Sequence, residues 1–448
     1  MKKITVGFYL ENKGIKNVDC SKIYEGNPGI GGTEFSMISL IYHLTLLNND
    51  INVIVYAEFT SNLPAILNVR TIGDTSSLKK QLLLDKPDIL ILRYSQNGDS
   101  QESLLNIFQK LDLKIVIWAH CFLPYSVLQY LSKNSQVSRI ICVGREQLDS
   151  FRDHPSFYKS LYIFNGLNTT VDYSKILPFA ERPNEVTYVG SIIAGKGFDL
   201  LAKSWKKVLE SVPDAKLNVI GTGKLYDRNI QMGKFNIAEE NYEEKFIHYL
   251  LGGDKKLLPS VNFHGILGVE KIDILKRTKI GVPNPSGVSE TFGYTGVEMQ
   301  LAGCKIVTRK VHGYLDTVFS ESGILIEKDK ELSTSIIKLL QRNDYDPKKS
   351  INFIQENFDF VKVAEDWKNV LIDIKNNKPV LIESELHNKK FKFKWLREIN
   401  RRLKHKFFIA KISPSLILYE TIYIKIKIYV PLLLNIPLVI KKVNKLLK

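Results

Sequence analysis

Glu290 and Glu298 stand eight positions apart, around the start of a predicted helix. The apolar run Lys279-Ile280-Gly281-Val282 reads as a strand stopped by Pro283. The helix opens near Phe292 or Gly293, stops at Gly303, and is followed by a second strand, Cys304–Thr308. This is a βαβ unit, and it puts Glu290 in the loop beyond the strand's carboxyl end, where open α/β sheets bind ligands. The free N–H groups at the helix start form an anion site. Carboxylates repel phosphate but accept hydrogen bonds from hydroxyl groups. Amides for phosphate, flanked by carboxylates for hydroxyls, suit a sugar nucleotide.

The elements that must hold these groups repeat the same pattern. Strands are predicted at Ile4–Leu10, Ile51–Tyr56, Asp88–Arg93, Leu113–Ala119, Arg139–Val143 and Leu161–Phe164, with helical stretches between them. A second series runs through Val186–Gly190, Leu217–Gly221, Val261–His264, Lys279–Val282, Lys305–Thr308 and Gly323–Ile326. Strands alternating with helices predict two doubly wound parallel sheets. The chain has 448 residues, 44% of them apolar, which is enough for two cores. Four cysteines lack metal or paired spacing, which predicts a reducing compartment.

Glu290 and Glu298, with Phe292-Gly293 after the first, resemble the signature of family-four retaining glycosyltransferases of the bacterial surface-polysaccharide type. The segment from Gly190 to Leu201 resembles that family's donor-phosphate loop, with Lys196 at the cationic position and Ser191 where an arginine is usual. Gly31-Gly32, after the first strand and before a helix, resembles the N-terminal glycine loop. His120, ending the run Trp118-Ala119-His120, matches a histidine that faces the sugar.

The resemblance implies the glycosyltransferase-B fold: two Rossmann-like domains, 1–175 on the acceptor side and 176–375 for the nucleotide sugar, the latter ended by a closing helix at about 361–375. It implies catalytic roles for Glu290 and His120. Donor binding falls to Gly31, Gly32, Ser191, Lys196, Phe292, Gly293, Tyr294 and Glu298. The donor would be a UDP- or GDP-sugar and the acceptor a glycan or lipid-linked glycan, with no cofactor and no metal. Asp344 and Asp346 have the form of a metal-binding pair, but the following Pro347 makes them a turn and helix cap. A sugar-nucleotide epimerase of the same fold, or a non-catalytic partner subunit, are the alternatives.

Charge is uneven. Residues 389–448 hold sixteen Lys/Arg against two acids, a net of +14 out of the chain's +16. Trp395, Leu416-Ile417-Leu418 and Leu432-Leu433-Leu434 interrupt the lysines. That mixture predicts a basic amphipathic tail, 376–448, lying on an anionic membrane surface, with a helical extension packed on the second domain as the alternative. It argues against nucleic acid, for which aliphatic clusters have no use. The expected location is cytoplasmic, peripheral to the inner face of the plasma membrane.

Overall fold

The computed structural model describes residues 3–47, 50–94, 98–109, 111–170, 176–225, 230–381, 393–406, 413–423 and 426. Two parallel sheets organise it. The first contains β1 (Ile4–Leu10), β2 (Ile51–Ala57), β3 (Val69–Thr71), β4 (Ile89–Arg93), β5 (Lys114–Ala119), β6 (Val137–Cys142) and β7 (Ser160–Tyr162), in the order 3-2-1-4-5-6-7. The second contains β8 (Glu185–Val189), β9 (Lys216–Ile220), β10 (Val261–Gly265), β11 (Ile280–Gly281), β12 (Lys305–Arg309) and β13 (Gly323–Ile326), in the order 10-9-8-11-12-13. The sequence pattern missed β3, whose three residues are too few to show a period.

Strand order reverses between β1 and β4 in one sheet and between β8 and β11 in the other. A crevice opens at each reversal, outside the strand carboxyl ends. Helix α1 (Gly32–Leu46) follows β1, α2 (Arg145–Asp149) follows β6, and α3 (Phe198–Ser211) follows β8. Helix α4 (Lys271–Arg277) precedes β11 and α5 (Tyr294–Leu301) follows it. α6 (Pro347–Phe358) and α7 (Phe360–Lys375) come next, then α8 (Lys394–Lys406). Asp346 caps α6, accepting from the Lys348 amide at 3.0 Å, with Pro347 in its first turn.

The closing helix does not pack on the sheet that precedes it. α7 returns to the first domain, where Trp367 meets Trp118 edge-on at 4.7 Å and Val363, Leu371 and Ile374 join the core between β1, β4, β5 and α1. Lys114 donates to the Ile374 carbonyl at 2.6 Å, placing a cation on the helix's negative end. The two crossings between domains lie side by side. Leu167 N donates to Phe358 O at 2.6 Å and Phe360 N donates to Leu167 O at 3.0 Å. Gly166 is needed there, because a Cβ would stand 2.2 Å from the Phe360 ring.

The basic extension also docks on the first domain. Arg397 is buried between Asp149 (3.7 Å) and Glu420 (2.7 Å), and Glu398 accepts from Arg152 at 3.1 Å. Ile417 packs against the core on the far face of the first sheet. Of the aliphatic clusters expected to be free, Leu416–Leu418 is therefore partly a docking element, and Leu432–Leu434 lies outside the described residues. Among the described residues no helix is long and apolar enough to cross a membrane.

Candidate active site

The loop between β11 and α5 is built from backbone that few residues adopt. Asn284, Gly287, Ser289 and Gly293 all have positive φ, at 32°, 69°, 57° and 89°. Two of them carry side chains, each costing about 1 kcal/mol or more unless its surroundings hold it. What holds this loop is the loop after β8. Gly197, at φ 65°, lets the chain approach so closely that a Cβ would meet Ser286 at 2.7 Å, and Ser286 Oγ donates to Gly195 O at 2.8 Å. The two loops are locked together, which sets Lys196 against Glu290.

Lys196 Nζ donates to Glu290 Oε2 at 2.9 Å, and Asn284 Nδ2 donates to the same oxygen at 3.0 Å. A second pair sits on α5, where Lys271 Nζ lies 2.8 Å from Glu298 Oε1 with both side chains nearly buried. Between the pairs, α5 begins at Gly293 with no side chain capping its first-turn amides. Two ammonium groups, two carboxylates and one helix N-terminus thus face one cleft of about 250 Å³.

The first domain supplies the opposite wall. Gly31 and Gly32 line it, and a Cβ on Gly32 would stand 2.9 Å from the Tyr294 ring. Phe35 meets that ring edge-on at 5.5 Å. His120 follows β5 and is held by Thr291, whose hydroxyl donates to the His120 carbonyl across the cleft. Its Nε2 is buried with no hydrogen-bond partner among the described residues. Burial, aided by the Arg93 guanidinium, pushes the imidazole down to about 3, so it is neutral across the ordinary pH range. Burial likewise pushes the Tyr294 phenol well above its usual value.

All ten residues singled out in the sequence line this one cleft. Ser191 is the weakest of them: its hydroxyl leans 3.4 Å toward the Thr222 carbonyl, and it offers no charge in place of an arginine. Sequence reading missed Asn284 and Lys271. Asn284, flanked by Pro283 and Pro285, reads as a turn, and Lys271, between Glu270 and Asp273, reads as a solvated helix face. Nothing in spacing signals that Lys271 is buried on Glu298.

Residues 171–359 match the family model for glycosyl transferases group 1. The match covers most of the second domain, which is therefore similar to a group 1 glycosyltransferase domain. No curated protein matches the chain in sequence. Among solved structures, sucrose-phosphate synthase from Thermosynechococcus elongatus superposes with a TM-score of 0.63 at 16% identity, covering 84% of this chain and 100% of that one. A glycosyltransferase from Rickettsia africae gives 0.64 at 13%, with the same coverage of both chains. HepE from Anabaena, in complex with UDP-glucose, gives 0.58 at 15% over 83% of this chain and all of its own. At these identities the likeness establishes the fold: two Rossmann-like domains in the glycosyltransferase-B arrangement. In the second domain, the paired glutamates and Lys196 all lie on the wall facing the first domain.

Proposed function

We propose that this protein moves a sugar from a nucleotide-diphosphate sugar to a glycan or lipid-linked acceptor, with retention of anomeric configuration, in surface-polysaccharide synthesis. The observation that carries the reading is the pair of Lys–Glu contacts on either side of the α5 N-terminus. A diphosphate entering between them takes the ammonium groups and the helix amides, and releases the carboxylates to hydroxyl groups. Glu290 then faces the sugar and Glu298 the ribose. The structure of HepE, which was solved with UDP-glucose, supports this class of donor.

The chemistry follows from the charges. As the bond from the anomeric carbon to the diphosphate oxygen breaks, negative charge grows on the leaving group. Lys196, Lys271 and the α5 amides are already placed to stabilise it. The acceptor hydroxyl attacks on the face that the diphosphate leaves, and its proton passes to a diphosphate oxygen. His120, held neutral, offers a sugar hydroxyl a hydrogen bond without adding charge to the oxocarbenium-like transition state. This arrangement supplies positive potential from the chain itself, so we propose that the reaction needs no metal.

A thermal-shift screen with UDP-, GDP- and ADP-sugars tests the donor class. At least one nucleotide sugar should raise the melting temperature of the wild type, and raise that of Lys196→Ala by less at the same concentration. No shift with any donor would refute the reading.

A further inference from the structure

Helix α8 is docked the wrong way round for a soluble protein. The face turned to the first domain is polar: Arg397 on Asp149, Asn400 Nδ2 donating to Asp153 Oδ2 at 2.6 Å, and Lys404 Nζ donating to Asp153 O at 2.9 Å. These positions are three or four apart, so they form one side of the helix. The opposite side carries Trp395, Ile399 and Leu403, which are 67%, 46% and 44% exposed. An amphipathic helix packed by the hydrophobic effect alone would turn those three inward. Here a buried ion-pair network holds the polar face, and the apolar stripe points out.

Two further observations say what covers the stripe. Residues 416–423, which dock beside α8 through Leu416 N to Asp153 Oδ2 at 2.7 Å, expose Tyr419, Ile422 and Tyr423 at the same helical spacing. The surroundings are cationic: Arg402 and Lys406 flank the α8 stripe and are exposed, and the extension from 389 to 448 carries a net +14. An apolar stripe bordered by cations complements an anionic bilayer: apolar groups enter the acyl boundary and Lys/Arg meet phosphate. A protein partner would need a matching acidic rim.

We infer that the outer faces of α8 and residues 416–423 form a membrane-docking surface for anionic phospholipid, rigidly fixed to the first domain by Asp149 and Asp153. The placement matters for the site. α2 begins at Gly144, packed against the Thr291 carbonyl of the donor loop, and ends at Asp149, beneath Arg397. Five residues of helix, roughly 8 Å of rise, separate the cleft wall from the inner, docked face of α8. The surface would therefore hold the first-domain wall of the cleft close to the bilayer. The use of that placement rests on the proposed reaction, whereas the docking surface does not.

Tryptophan fluorescence of the full chain tests the surface directly. Trp118, Trp205 and Trp367 are at most 1% exposed, so Trp395 alone of the four can enter lipid. With vesicles of brominated phosphatidylglycerol, emission should shift to the blue and be quenched, and brominated phosphatidylcholine should do neither. Trp395→Phe should still sediment with phosphatidylglycerol but lose the quenching. The triple variant Trp395→Ser, Ile399→Ser, Leu403→Ser keeps the polar docking contacts of Arg397, Asn400 and Lys404, and should bind these vesicles roughly tenfold or more weakly while still unfolding in one cooperative transition. No quenching in the full chain overturns the inference. So does vesicle binding undiminished in the triple variant, or a wild-type dimer that this variant converts to monomer, which would assign the stripe to a second copy of the chain.

Discussion

Lys196 Nζ lies 2.9 Å from Glu290 Oε2, so the cation assigned to the diphosphate and the carboxylate assigned to the sugar hold each other. The contact keeps a charge of each sign satisfied in a half-buried cleft. It also sets a competition, because a donor must take the ammonium away from Glu290 before it can use either group.

That competition gives the two residues opposite signs. Lys196→Ala removes a charge-assisted contact and should weaken nucleoside diphosphate binding by roughly tenfold, since part of the contact's worth is spent on leaving Glu290. Glu290→Gln removes the carboxylate that competes for the ammonium and should tighten binding of the free nucleoside diphosphate, while turnover with sugar donors falls. Isothermal titration with the diphosphate alone, beside steady-state rates with the sugar donor, separates these effects. Weaker diphosphate binding by Glu290→Gln would exclude the competition.

The second pair should behave as a buried ion pair. Lys271 is 6% exposed and Glu298 8%, so removing either partner leaves an uncompensated charge. Glu298→Gln should cost about 3 kcal/mol of stability or more. Adding Lys271→Met should restore most of that stability but not nucleotide binding, because the ribose partner is still missing. Denaturant unfolding and nucleotide titration of the three variants measure both quantities.

His120 makes stability fall with acid. Its folded-state value of about 3 lies below the ordinary 6.5, so between these limits the unfolded chain binds a proton that the native imidazole refuses. The contribution is complete above pH ~6.5 and is lost as pH drops, at up to about 1.4 kcal/mol per pH unit. His154, pushed down to about 4 by burial, adds a similar slope. His120→Asn should therefore reduce the acid-side slope of unfolding free energy by about one proton's worth, whatever its effect on overall stability.

We predict metal independence from the same cations. Activity should persist in EDTA and should not rise with manganese or magnesium. Loss in EDTA with recovery on adding either metal would mean that the lysines and the α5 N-terminus do not suffice.

Much of this was legible in the sequence, for a physical reason. Pro283, Gly287, Gly293 and Gly303 punctuate a βαβ unit whose strand, loop and helix each need those residues, so the position of Glu290 could be read from its neighbours. Lys196 and the Gly31-Gly32 turn were legible for the same reason. What escaped depends on distant partners. α7 has one apolar face that would suit either sheet, and contacts such as Trp118–Trp367 and Lys114 with the Ile374 carbonyl decide between them. Lys271 carries no local mark of burial. The extension was read as basic and apolar, which is correct, but its docking uses Arg397 and Asn400 against Asp149 and Asp153, about 250 residues away in sequence. Polar faces of this kind look solvated until their partners are known.

Everything proposed for this cleft requires that it break the bond between a sugar and a nucleoside diphosphate. The most direct measurement is release of nucleoside diphosphate from a panel of UDP-, GDP- and ADP-sugars by the purified full-length protein, beside Glu290→Gln. The wild type should release it from at least one donor, and the rate should fall by roughly a hundredfold in the variant. Release from no donor, or equal release by both proteins, would contradict that reading.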